Sequence, residues 1–115
     1  MPAQIVSTKS AEHYTWGADC DGWHLVKTAD LSVIEERMPA GASETRHSHV
    51  HARQFFYVLE GELTMEVEHH VFLVRAGEGI EVSPGQQHQA YNKSPAVLRI
   101  MVVSQPPRHG DRVEA

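Results

Sequence analysis

A single cysteine, Cys20, in 115 residues excludes an internal disulfide and, with it, the small secreted scaffolds that depend on such bridges. Positive charge is also scarce. Ten Lys and Arg stand against fifteen Asp and Glu, for a formal charge of −5. No basic stripe is set against that balance, so the electrostatic footprint of a nucleic-acid binder is missing and neither DNA nor RNA is expected as a partner. No apolar run nears the roughly 20 residues needed to cross a bilayer, and no membrane association is expected. The opening "MPAQIVSTKSAEHY" lacks the basic start and apolar centre of a secretory leader, which makes cytoplasmic residence the simplest expectation. No stretch of twelve residues keeps the 3.6-residue period of a long helix.

Short alternating segments fill the space that helices leave. "QFFYVLEGELTMEVE" reads as two strands about a tight turn at Glu60 and Gly61, with Leu63, Met65 and Val67 facing away from Glu62, Thr64, Glu66 and Glu68. "LSVIEERM" groups Leu31, Val33 and Glu35 on one face. "VFLVRAGEGIEVSPGQQH" and "AVLRIMVVS" add β-branched runs bounded by Gly, Pro and Asn, and Pro106 and Pro107 are expected to end the last strand. The length suits one domain over residues 1–115, with one core and one site. The fold class is therefore all-β, a sandwich or a barrel made from two sheets.

Nine histidines are many for this length, and position has to explain them. In "RHSHVHARQFF", His47, His49 and His51 alternate. Neighbours on one strand face lie about 6.6 Å apart, close enough for two imidazoles to share an ion, whereas the outer pair would be about 13 Å apart. With metal–nitrogen bonds of about 2.0–2.1 Å, either His47 or His51 must drop out, and spacing alone does not say which. His69 and His70 fall where the chain reverses, and His13, His24 and His109 have no partners at ligand spacing, so these five are read as ordinary residues.

Gly41, five residues, His47, Ser48, His49, four residues, Gln54, six residues and Gly61 resemble the first motif of the cupin superfamily. "AGEGIEVSPGQQHQAYN", from Gly77 through Gly85 to His88 and Asn92, resembles the second, fifteen residues further on. The resemblance implies a double-stranded β-helix, or jelly-roll barrel, with a metal held inside by His47, His49, Gln54 and His88. It puts His51 in the turn between two strands, and it implies a homodimer. The chain departs from the family pattern twice: proline falls one place late, at Pro84, with Ser83 in its usual position, and Gln54 stands where the family most often has Glu.

That second departure carries chemistry. Three neutral imidazoles and an amide leave the full charge on a divalent cation (Fe, Ni, Zn, Mn or Cu), which favours an anionic ligand and acidifies bound water. Candidate pocket residues are Phe56, inward with Gln54 by alternation, Arg99, a cation in an apolar strand, and Tyr91. No residue is assigned a catalytic role. Cupins with His, His, Gln, His ligands include enzymes that open unsaturated uronate rings using a carboxylate on a late strand. Here no Asp or Glu lies between Glu81 and Asp111, so acid–base work is expected from bound water, Tyr91 or a histidine outside the metal set. The expected function is a metal-dependent enzyme, of dioxygenase or sugar-acid isomerase type, acting on a small anionic molecule. The alternative is a module that binds or senses such a molecule without turning it over.

Overall fold

A computed structural model describes residues 2–108 and 110–115. The strands are β1 (Glu12–Trp16), β2 (Cys20–Lys27), β3 (Ser32–Met38), β4 (His47–His49), β5 (Arg53–Glu60), β6 (Glu62–Val67), β7 (His70–Arg75), β8 (Gly79–Val82), β9 (His88–Tyr91), β10 (Leu98–Gln105) and β11 (Arg112–Glu114). They form a six-stranded sheet in the order β1-β2-β3-β10-β5-β8 and a five-stranded sheet in the order β11-β4-β9-β6-β7, with every pairing antiparallel. This is the double-stranded β-helix. Among the described residues no helix is long and apolar enough to cross a membrane.

Strand alternation decides what enters the barrel. On β6, Leu63, Met65 and Val67 are buried, and on β10 Leu98, Ile100 and Val102 are buried, while the residues between them are partly open. β3 follows the opposite parity from the one that Leu31, Val33 and Glu35 suggest. Its buried set is Ser32, Ile34, Glu36 and Met38, because Ile34 and Glu36 pair in register with Val102 and Ile100 of β10. The apolar partners on β10 fix the face, and a glutamate goes in with them.

Two turns explain their residues. Gly61 joins β5 to β6 at φ 88°, and a Cβ there would lie 2.5 Å from the carbonyl oxygen of Val97, so only glycine fits. Between β6 and β7, Glu68 and His69 both adopt positive φ, as a two-residue hairpin turn matched to strand twist requires. The Glu66 carboxylate accepts the His69 N–H at 2.6 Å and supports that turn. His69 and His70 are exposed.

The tail corrects an expectation. Pro106 and Pro107 do end β10, but β10 is not the last strand: the chain crosses the barrel mouth and adds β11 beside β4, with Arg112 opposite His49 and Glu114 opposite His47. Asp111 fixes this crossing by accepting the N–H groups of His51 and Ala52 at 2.8–3.0 Å.

Candidate metal centre

Backbone pairing assembles the site from three strands. β4 puts His47 and His49 on its inner face, β9 sets His88 directly opposite His47, and β5 carries Gln54 inward opposite Ser104 of β10. All four side chains are about 98–99% buried. The ring centroids of His47 and His88 are 4.4 Å apart, those of His47 and His49 4.9 Å, and those of His49 and His88 5.9 Å. One nitrogen from each ring lies within 4.8 Å of the other two, so these three histidines form a cluster able to hold a metal ion.

Hydrogen bonds orient the rings. His47 Nδ1 is 2.7 Å from the carbonyl of Thr45, and His88 Nδ1 is 3.0 Å from that of Gln86. Each Nδ1–H is thereby committed to an acceptor, and each Nε2 is left with its lone pair facing the cluster. Burial pushes the pKa of His47 down to about 3 and that of His49 down to about 4, and it lowers His88 as well. The rings are therefore neutral at pH 7 and able to act as ligands.

Gln54 completes the pattern. Its amide nitrogen donates to Ser104 Oγ at 3.0 Å, leaving Oε1 buried. Among the described residues Gln54 Oε1, both ring nitrogens of His49 and Nε2 of His88 are buried without a hydrogen-bond partner. Leaving such groups unpaired costs about 1–3 kcal/mol each, and a cation held among the three rings would satisfy one nitrogen of His49 and Nε2 of His88. Three neutral imidazoles with an amide oxygen suit a divalent transition metal.

His51 does not join this cluster. It is exposed in the loop between β4 and β5, held by its backbone to Asp111. Phe56 is buried beside the site, its ring 5.8 Å from that of His88. Arg99 and Tyr91 are corrected: both occupy the outer parity of their strands. Arg99 pairs with Glu35 at 3.1 Å and lies over the Trp23 ring, because Leu98 and Ile100 take the inward positions. The Tyr91 hydroxyl donates to Gln89, and Lys93 lies over its ring. Neither reaches the cluster.

Two interior carboxyl groups were not foreseen among the acid–base candidates. Glu36 and Glu44 line a small void of about 10 Å³ with His47, Gln54, Phe56 and Arg108. Burial raises the pKa of Glu36, and burial together with the nearby Glu36 pushes Glu44 up to about 8. Glu44 accepts the Ala90 N–H at 3.0 Å and approaches His47 Nδ1 at 4.0 Å.

Beyond this void a cavity of about 640 Å³ opens at the mouth, lined by Tyr14, His24, Lys27, His49, Arg108 and Arg112 among others. His24, read from sequence as an ordinary residue, thus faces the cavity, while His109 lies outside the described residues. A separate hollow of about 450 Å³ beside β7 and β8 contains none of the histidines.

A family model for the cupin domain matches residues 34–104, which include β3 through β10 except for their outermost residues. The chain belongs to the cupin family. An uncharacterized protein of Methanocaldococcus jannaschii is 29% identical over 84 residues, covering 73% of this chain and 67% of its own. An RmlC-like cupin from Shewanella frigidimarina superposes with a TM-score of 0.83 at 22% identity, covering 94% of this cupin and 95% of its own chain. The polyketide cyclase RemF from Streptomyces resistomycificus superposes with a TM-score of 0.86 at 17% identity, covering 99% and 86% respectively. At these identities the two structures share the fold.

Proposed function

We propose that this cupin is a metal-dependent enzyme of the proton-transfer kind, an isomerase or a related catalyst, acting on a small anionic molecule chelated beside His47, His49, His88 and Gln54. The observation that carries this reading is the cluster of three buried histidines, with unpaired nitrogens on His49 and His88 and with His49 also lining an open cavity. A divalent metal bound there would act as a Lewis acid on a coordinated oxygen.

The chain's own residues do the rest. The neutral ligand set leaves the ion's charge for an anion to balance, and Lys27, Arg108 and Arg112 line the approach, each beside a glutamate (Glu12, Glu36 and Glu114). Phe56 and the surrounding apolar core keep bulk water from the inner void. Glu36 is the carboxyl group able to take or return a proton within that void, since burial raises its pKa towards the working range of a general acid or base. This favours the isomerase branch of the expectation over the dioxygenase branch.

The test starts with metal analysis of protein purified without chelator. Metal-loaded protein is then incubated in D₂O, with and without oxygen, with a panel of α-hydroxy, α-keto and sugar acids followed by NMR. Exchange of a carbon-bound proton or conversion to an isomer is expected, independent of oxygen, and Glu36→Gln is expected to slow it about a hundredfold or more. A fully metallated protein that is inert across the panel would instead support a binding or sensing module.

A further inference from the structure

Arg108 follows the proline pair after β10 and forms part of the wall of both the outer cavity and the inner void. Its Nη2 donates to the Tyr14 hydroxyl at 3.2 Å and lies 3.6 Å from Glu36 Oε2, while the Tyr14 hydroxyl donates to the same carboxylate at 3.4 Å. These contacts anchor one edge of the guanidinium. Among the described residues, Nη1 and Nε make no hydrogen bond, so the guanidinium keeps free N–H donors for a further anion.

A second observation lies beside it. His24 lines the same cavity, its ring is 5.0 Å from that of Tyr14, and its Nδ1 is buried without a hydrogen-bond partner among the described residues. Lys27 and Arg112 also line it, each paired with a glutamate, Glu12 and Glu114 respectively, and His49 of the metal cluster faces the cavity as well. A molecule in the cavity therefore shares its walls with both a histidine of the metal cluster and Arg108.

We propose that Arg108, with His24 and the Tyr14 hydroxyl beside it, is an anion subsite that takes the far carboxylate of a short dicarboxylate whose near end reaches the metal. This inference rests on the metal reading above and adds the substrate class: a two-ended acid rather than any small anion. Arg108 would then set specificity, because a monocarboxylate of equal length leaves the guanidinium and the metal without a common ligand.

The experiment compares succinate with butyrate, which has the same number of carbons and one carboxylate, by calorimetry on nickel-loaded protein. Nickel content is measured first. Wild-type protein is expected to bind succinate at least about tenfold more tightly than butyrate. Arg108→Gln is expected to lose that preference, the two acids then binding within about twofold of each other, and Arg108→Lys, which keeps the charge and loses the planar guanidinium, to keep part of it. Equal affinity for the two acids in wild-type protein, or an undiminished preference in either well-folded variant, would overturn the subsite while leaving the metal reading intact. Failure to take up nickel overturns the metal reading and this inference with it.

Discussion

His47 and His88 face each other across the β4–β9 ladder with ring centroids 4.4 Å apart, and each directs Nδ1 at the carbonyl oxygen of the residue two places before it. Two strands thus use one local device to aim an Nε2 lone pair at the same point. Metal binding should therefore couple to folding. Metal at about a hundred times its Kd is expected to stabilise the protein by about 2.7 kcal/mol. In thermal melts of chelator-treated and reloaded protein this is a rise of several degrees, and His88→Ala should abolish it. An equal rise in that variant would remove the histidine cluster as the cause.

The interior titratable groups oppose one another, which predicts a stability maximum. His47, His49 and His88 have folded pKa values depressed below their usual 6.5, so their neutral forms support folding above that value, and the support is lost as pH falls, towards about 3 for His47 and about 4 for His49. Glu36 and Glu44 run the other way. Their raised values favour folding at low pH, and that support is lost as pH rises from 4.5 through about 8 for Glu44. Metal-free protein should therefore be most stable near pH 6.5, each group changing stability by at most about 1.4 kcal/mol per pH unit. Glu44→Gln should flatten the alkaline side of a melting-temperature profile, and an unchanged alkaline slope would remove Glu44 as its source.

Gln54→Glu adds one negative charge to a site of neutral ligands. Metal should bind more tightly, and a small anionic probe such as azide should bind the nickel form at least about tenfold more weakly than it binds the wild-type form. Azide binding that is unchanged, as followed by the visible spectrum, would mean that the neutral amide does not set anion affinity.

Asp111 touches no proposed ligand, yet it accepts the N–H groups of His51 and Ala52, the stretch that separates His49 from Gln54. Asp111→Ala should loosen that stretch and weaken metal binding about tenfold, as loss of supporting contacts around metal ligands commonly does. Competition with a chromogenic chelator measures it, and Asp111→Asn, which keeps an acceptor oxygen, should recover part of the loss.

His47, His49 and His88 were legible in the sequence through the resemblance to the two cupin motifs, whereas strand spacing alone left His47 and His51 as alternatives. Glu36 was hidden. In "LSVIEERM" both parities contain apolar residues and a glutamate, and only pairing with Ile100 and Val102 of β10 selects the face. Arg99 and Tyr91 could have been excluded by alternation, since Leu98 and Ile100 flank the first and the inward His88 lies an odd number of residues from the second. Arg108 and Asp111 follow two prolines that mark the end of a strand. Their return over the mouth depends on long-range pairing with β4, which local sequence does not encode.

That return sets an order of events. Translation produces His47 and His49 more than sixty residues before Arg112–Glu114, the segment that braces their strand from outside. Until that segment emerges, β4 is a three-residue edge with one flank bare, and the newborn barrel has its ligands but not the strand and carboxylate that hold them in position. Bracing of the histidine strand is thus a property of the finished domain, because the strand that completes it is made after every other one described.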